Sequence, residues 1–445
     1  MGTPSTGEIS IYNNPAELLQ SLIRYDTTNP PGNEAECIAY IDDLLSRTGF
    51  ETTLLAKDPN RPNLLTRLKG RGSAPPLLMY GHVDVVTTAN QEWKYPPFEA
   101  KVVDNFVWGR GALDMKGGVA MMLAALMRAK EEGLAPAGDI MLAILCDEES
   151  GSEYGAKYLV ANHPEQFTGI KYAIGEFGGY TAHVGPKKFY PIQIAEKQPC
   201  WMKAIVRGPG GHGARPMRGG TMAKLADLLH RLDKHRLPVH ITPVTRQMIE
   251  IFASNLPFPK GLIFRQLLNP FLTNSILKLL GDLSQYLDPL LHNTVNATIV
   301  RGGEKLNVIP SEVIVDLDGR LLPGFSPDHM LAELRQIIGD EVELELLRHA
   351  PATPAEPDMG LFSTLAGVLQ DADPDGIPMP LLLPGFTDGR IFANLGIQTY
   401  GFIPMKLPIG FNFFATIHGA DERIPVEAMD FGANAIYELI RRYEG

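Results

Sequence analysis

The sequence predicts an α/β protein, with a mainly parallel sheet carrying helices on both faces and an inserted ferredoxin-like α+β domain. Three observations predict it. Over the first 195 residues short apolar runs alternate with helical patterns, as the βα units of a parallel sheet do. From about Cys200 the order becomes strand, helix, two strands, helix, strand, which is the ferredoxin-like unit. At 445 residues the chain is also too long for one ordinary core, so two domains are expected.

Each element has its own signal. Residues 14–22 and 34–47 read as helices, the first opened by Asn14-Pro15 and the second stopped at Gly49. The segment TTNPPGN between them is a turn-rich loop. Apolar strands are expected over 64–69, 77–81, 140–146 and 172–175. A helix over 115–132 has Val119, Met122, Leu123, Leu126 and Met127 on its buried side and stops at Gly133. The inserted unit comprises strands over 201–207, 294–301, 312–322 and 341–348 and helices over 221–235 and 328–338. A helix over 426–443 closes the chain. The domain division is therefore 1–197 with 351–445 for the α/β part and 198–350 for the insert. Within the insert, block 246–292 is additional helical material around IFRQLLNPFLTNSILKLL.

Composition narrows the function classes. With 40 basic and 51 acidic residues the net charge is -11, and no concentrated basic face is present for a nucleic-acid backbone. Cys37, Cys146 and Cys200 are far apart and form no CxxC pair, which suggests core filler in a reducing, cytoplasmic compartment. The start, MGTPSTGEIS, lacks the charged-then-apolar order of a secretory signal, although Gly2 and Thr6 match the short myristoylation pattern. The longest apolar runs are broken by Pro, Asn, Gly or charge, so no membrane span is expected.

The chemistry gathers at strand ends. In LLMYGHVDVV an apolar strand delivers His82 and Asp84 two residues apart, on one side in extended geometry, so Asp84 can orient a metal-binding imidazole. By itself such a pair is more often a surface or satisfied polar contact. WGRGALDMKGG places Asp114 just before a helix, where a carboxylate can bridge two cations or cap the helix. IMLAILCDEESGS ends in Asp147, Glu148 and Glu149, a charge concentration that needs cations or protons to compensate it. KYAIGEFGG ends another strand in Glu176, and FFATIHGADERIP supplies His418 in a polar loop. Ligands bind at the carboxyl ends of strands in open α/β sheets. Two histidines and three carboxylates without cysteine suit two zinc, cobalt or manganese ions sharing a carboxylate.

GHVDVV, GRGALDMKGG, DEESGS, GEFGG, GPGGHGARP, KLNVIP and IHGADERIP stand in this order along nearly the whole chain. In this it resembles the dinuclear zinc hydrolases that include aminoacylase, carboxypeptidase G, acetylornithine deacetylase and succinyl-diaminopimelate desuccinylase. The resemblance implies that His82 and Glu176 are terminal ligands of one metal, Glu149 and His418 of the other, and Asp114 the bridge. It implies Glu148 as general base and Asp84 as the residue behind the histidine ligand. The insert resembles that family's lid and homodimerisation module, with His212 reaching the neighbouring subunit's active site and holding the oxyanion. Asn307 and Arg320 match lid positions that contact substrate, Arg320 being suited to a free α-carboxylate. The other reading of Arg320 is a surface ion pair at a strand end.

Glutamate at position 176 goes, in that family, with acylases, deacylases and carboxypeptidases. The long block 246–292 resembles the lid extension of carboxypeptidase S and the N-fatty-acyl-amino-acid hydrolases. Its apolar side would suit a hydrophobic acyl group or side chain, or packing against the lid or a second subunit. The implied activity is hydrolysis of an amide bond beside a free carboxylate, in an N-acyl amino acid or short peptide. The alternatives are a dipeptidase or aminopeptidase of the same family, and a catalytically silent binding protein on its scaffold. No GxSxG elbow supports a serine nucleophile.

Overall fold

A computed structural model describes residues 11–350 and 354–445; the Gly2–Thr6 pattern, and the expected return to α/β material at 351, lie outside the described residues. The chain divides into two compact units. The first contains residues up to Ile194, Asp358–Pro380 and Thr387–Gly445, and the second Ala195–Pro357 with Leu381–Phe386.

In the first unit, apolar β-rich runs build a nine-stranded sheet. Its order is Thr52–Ala56, Pro62–Leu68, Ile140–Leu145, Leu77–His82, Tyr172–Gly175, Gln398–Gly401, Lys187–Glu196 and Gly376–Leu383, with Ala182–Val184 paired to Lys187–Glu196. Ile140–Leu145, Leu77–His82, Tyr172–Gly175 and Gln398–Gly401 run parallel in the middle. Every residue of Leu77–His82 and Ile140–Leu145 is buried, as strands covered on both faces require. On one face Leu78, Tyr80, Met141 and Ala173 pack with Leu159 of helix Ala156–Asn162 and Phe392 of helix Gly389–Ala393. On the other, Gly81 lies so close to Met115 and Val119 that a Cβ would come 2.8 Å from the Met115 side chain. Helix Lys116–Glu131 is apolar nearly all round because helices Pro15–Ile23 and Val426–Arg442 pack over it.

Beside this parallel centre stand antiparallel pairs. Pro62–Leu68 is antiparallel to Ile140–Leu145, Thr52–Ala56 is antiparallel to Pro62–Leu68, and Lys187–Glu196 is antiparallel to Gln398–Gly401. Thr52–Ala56 escapes the sequence reading because it is a half-exposed edge strand without a continuous apolar run. Strands Lys187–Glu196, Gly376–Leu383 and Gln398–Gly401 have no counterpart among the expected spans either, and the expected elements form with ends shifted by three residues at most.

The second unit carries the sheet order Thr294–Arg301, Glu312–Leu321, Gln198–Arg207, Glu343–His349, all antiparallel. Helices Thr221–Lys234 and Pro327–Ile338 cover it, with Met202, Ala204, Val315, Leu317, Leu228, Met330 and Leu334 as core. This is the ferredoxin-like arrangement. Block 246–292 falls into short helices: Pro243–Asn255, Lys260–Arg265, Thr273–Leu279 and Ser284–Leu291.

The packing predicts unequal costs for one substitution type. Leu142→Ala, in a fully buried central strand, should lower unfolding stability by about 2–5 kcal/mol. Leu54→Ala, 49% exposed on the edge strand, should change it by less than about 0.5 kcal/mol. Denaturant unfolding of the two variants measures the difference.

Candidate metal centre

Register brings the chemistry to one edge. His82 pairs with Leu145, and Leu77 with Tyr172, so the three neighbouring parallel strands end nearly level. Their exits carry His82 and Asp84, then Asp147, Glu148 and Glu149, then Glu176. Gly401 makes the fourth exit possible, since a Cβ there would fall 2.6 Å from the Glu176 carbonyl oxygen. Downstream of it, His418 stands two residues past helix Phe413–Thr416, with a φ of 59°. Asp114 arrives from the loop before helix Lys116–Glu131. Gly117 keeps that loop tight, as a Cβ there would meet the Ala112 carbonyl at 2.2 Å. Met115, and not Asp114, occupies the cap position of this helix, so the Asp114 carboxylate is free for other work.

The five side chains form two groups that share Asp114. Asp114 Oδ1 is 3.2 Å from His82 Nε2, which is also 3.3 Å from Glu176 Oε2. Asp114 Oδ2 is 3.1 Å from His418 Nε2, which is also 3.3 Å from Glu149 Oε1. Beyond that His418 contact, Glu149 Oε1 is buried and accepts no hydrogen bond. A carboxylate oxygen left so in a crowd of acids is well suited to a cation. The nitrogen and oxygen donors, with one carboxylate pointing its two oxygens into two groups, fit a pair of divalent metal ions.

Electrostatics reports the same crowding. Burial pushes the Glu148 carboxyl well above its ordinary range, and the neighbouring Glu176 charge adds to it. Burial likewise raises Glu149, and it raises Glu176 to about 7 against the pull of His82. Burial works against a charge on His82, but Asp114, Asp84 and Glu176 together hold its imidazolium well above the usual histidine range. Hydrogen bonds to Asp114 and Glu149 raise His418 to about 10. Burial opposes ionisation of Asp114, but His418 and His82 hold it well below the carboxylate range. Protons on the imidazoles therefore stand where cations would.

Asp84 is fully buried behind this edge. Its carboxylate accepts the Glu148 and Glu149 backbone N–H groups, each at 3.1 Å, and an Asn29 amide N–H at 2.8 Å. The His82 ring contact differs from expectation. Nδ1 lies 3.0 Å from the Asp84 backbone carbonyl and 3.5 Å from its carboxylate, because the carboxylate is turned to the acid loop.

Several supporting residues carry a role that the motifs do not reveal. Asn29 also donates to Asp147, which pairs with Arg61 at 3.0 Å; Arg61 in turn pairs with Glu34 at 2.7 Å. Fully buried Glu422 pairs with Arg110 at 2.6 Å and accepts the backbone N–H groups of Gly111, Leu113 and Asp114. Arg110 also donates to the His418 carbonyl, so one ion pair ties both histidine-side loops together. Asp388 accepts the Ser152 hydroxyl, and burial raises its carboxyl to about 6. Arg110, Asp147, Ser152 and Glu422 lie inside the motifs quoted above, whereas Asn29, Glu34, Arg61 and Asp388 lie outside them.

The remaining candidates lie in the second unit. His212 and Asn307 stand together there: Gly211–His212 pairs with Val308–Ile309, and Gly213 N–H donates to the Asn307 carbonyl. His212 is exposed, with Nδ1 accepting the Ala214 N–H at 3.1 Å. Arg320 is engaged in the ion-pair reading given above: it holds both carboxylate oxygens of Asp318 and lies over the Phe386 ring.

A mainly parallel α/β sheet whose carboxyl edge gathers two histidine–carboxylate groups around a shared aspartate defines a metallohydrolase. Residues 78–442 match peptidase family M20/M25/M40, and the chain belongs to that family. It is 28% identical over 386 residues to the probable carboxypeptidase S-like 2 of Dictyostelium discoideum, covering 84% of this chain and 72% of that one. It is also 28% identical over 385 residues to the human N-fatty-acyl-amino acid synthase/hydrolase, covering 83% and 75%. Among solved structures it matches the fold of a metallo-carboxypeptidase from Sulfolobus solfataricus, with TM-score 0.70 and 17% identity, covering 98% of this chain and 100% of that one.

Metal binding should compete with protons. Ligating imidazoles must be neutral, whereas the metal-free site keeps His418 protonated up to about pH 10. Metal affinity should therefore rise with pH across the neutral range, with protons released on binding. For the metal-free fold the sign is reversed. Stabilisation from the His418 contacts is complete below about pH 6.5 and fades as pH rises toward about 10. Calorimetric metal titrations in buffers of different ionisation enthalpy count the protons, and no release at neutral pH would refute the arrangement.

Proposed function

We propose that the protein hydrolyses an amide bond next to a free carboxylate, with an N-acyl amino acid or a peptide C-terminus as substrate. The observation that carries this reading is the pair of ligand groups sharing Asp114, with glutamate at position 176. The names of the carboxypeptidase S-like and N-fatty-acyl-amino acid relatives support both substrate classes, and the second supports a hydrophobic acyl group.

In this reading His82 and Glu176 would hold one divalent ion and Glu149 and His418 the other, with Asp114 shared by both groups; zinc would be the metal, with cobalt or manganese able to replace it. Divalent ions held there would supply Lewis-acid chemistry, polarising the amide carbonyl and acidifying water. Glu148 is the general base. Its burial beside Glu176 favours holding a proton, and so suits taking one from water and returning it to the leaving amine. Asp84 keeps His82 and the acid loop in register through its contacts to both. The second unit serves as lid and dimerisation domain. There, His212 of the partner subunit donates to the developing oxyanion, and Asn307 and Arg320 receive substrate, Arg320 exchanging Asp318 for the substrate carboxylate. Buried, unpaired Cys37, Cys146 and Cys200 agree with a reducing, cytoplasmic setting.

Chelation should abolish hydrolysis of N-acyl amino acids, and zinc, cobalt or manganese should restore it. Full activity after exhaustive chelation would end the proposal. Glu148→Gln should keep two metal ions per chain while kcat falls about 100-fold or more. Loss of metal in that variant would exchange its role with that of Glu149. His212→Ala should keep fold and metal content and lose kcat, because a donor used in the transition state is removed. Mixing it with Glu148→Gln under conditions where subunits exchange should restore part of the activity, since one site of a mixed dimer has both residues intact. No recovery would return His212 to its own chain's site.

A further inference from the structure

We propose that residues 251–281 of the second unit form a docking surface for an anionic lipid membrane, on which the protein lies peripherally. The charge pattern is the first support. In a chain of net charge -11, with 51 acids in 445 residues, these 31 residues contain Lys260, Arg265 and Lys278 and no acid. All three cations are exposed, and none pairs with a carboxylate among the described residues.

The apolar pattern is the second. The short helices bury a few side chains inward, such as Phe264 and Leu277, and leave others of equal size in water. Leu262 is 58% exposed and Leu279 69%. Phe258 and Phe271 are 87% and 94% exposed. Both phenylalanines stand at turns next to proline, Phe258 between Pro257 and Pro259 and Phe271 after Pro270, so rigid backbone presents each ring. Nearly complete exposure of two rings and several leucines in one short stretch is not how a soluble surface ordinarily looks. Aromatic and aliphatic side chains alternating with unpaired lysine and arginine are the makeup of a segment that lies in a membrane interface.

The other occupants fit less well. A second copy packed two-fold on this face would set cations of the same kind against one another. An acyl-binding pocket would enclose its apolar side chains, and these point to solvent. No described helix is long and apolar enough to cross a membrane, so the contact is superficial.

Vesicle flotation with the full, metal-loaded chain tests the proposal. The protein should float with phosphatidylcholine vesicles that contain phosphatidylglycerol, and much less with phosphatidylcholine alone or at high salt. Replacing both rings, Phe258→Ser with Phe271→Ser, should weaken vesicle affinity about tenfold or more. The triple change Lys260→Gln, Arg265→Gln and Lys278→Gln should remove the preference for anionic lipid. Because all five positions are exposed, thermal unfolding and metal content should stay as in the unaltered protein. With Phe271→Trp, the added indole should shift to shorter emission wavelength on anionic vesicles and be quenched by brominated lipid. Absence of flotation on anionic vesicles, or unchanged flotation of the double serine variant, would overturn the proposal. So would a serine variant whose only change is a smaller sedimenting mass, which would make the face a protein–protein contact.

Discussion

Carboxylates crowded at a buried sheet edge repel one another, and much of the first unit is arranged around that repulsion. Asp84, Asp114, Glu148, Glu149, Glu176 and Asp388 all come to the exits of the central strands or to the loops beside them. Removing so many carboxylates from water is costly unless protons, cations or N–H donors answer each one. The structure divides the answers. Asp84 is satisfied by backbone and amide N–H groups, Asp114 and Glu176 by His82, and Asp114 again by His418. Glu148 and Asp388 carry their burden as raised proton affinity. What remains, the Glu149 oxygen with only its His418 contact and the paired histidine–carboxylate contacts, is the part that divalent ions satisfy best.

Holding these groups within reach of one another demands a stiff second layer. Two buried ion networks provide it. Glu34, Arg61, Asp147 and Asn29 lead to Asp84 from one side, while Arg110 and Glu422 clamp the Asp114 and His418 loops from the other. Neither network is an economical source of stability, because desolvation offsets most of what a buried pair gains. Their value is geometric: a carboxylate fixed by a guanidinium and several N–H groups has one position, and the loop it holds has one position too.

Much of this architecture was legible in the chain. Apolar runs ending in His82, Glu149 and Glu176 marked strand exits, because a continuous buried strand must be apolar and must turn polar where it leaves the sheet. The alternation of elements after Cys200 marked the antiparallel unit for a similar reason. Edge strands such as Thr52–Ala56 were not legible, since half-exposed strands lack the periodicity that burial imposes. The direction of the outer pairings was hidden as well, being set by how connections wind and not by residue type.

Ligand types, their order and the strand ends that carry them can be read along the chain, because they follow from local burial and local polarity. The family can be read there too, through motifs that survive in order from GHVDVV to IHGADERIP. Folding in three dimensions sets which ligands share a group and where Asp114 divides its oxygens. It also places Glu422, Arg61 and Asn29 behind them. Those are contacts between residues tens to hundreds of positions apart, fixed by strand register and by the close approach that Gly401 and Gly117 allow. A chain read in one dimension contains no distance across a sheet, and the charges at this edge are arranged by such distances.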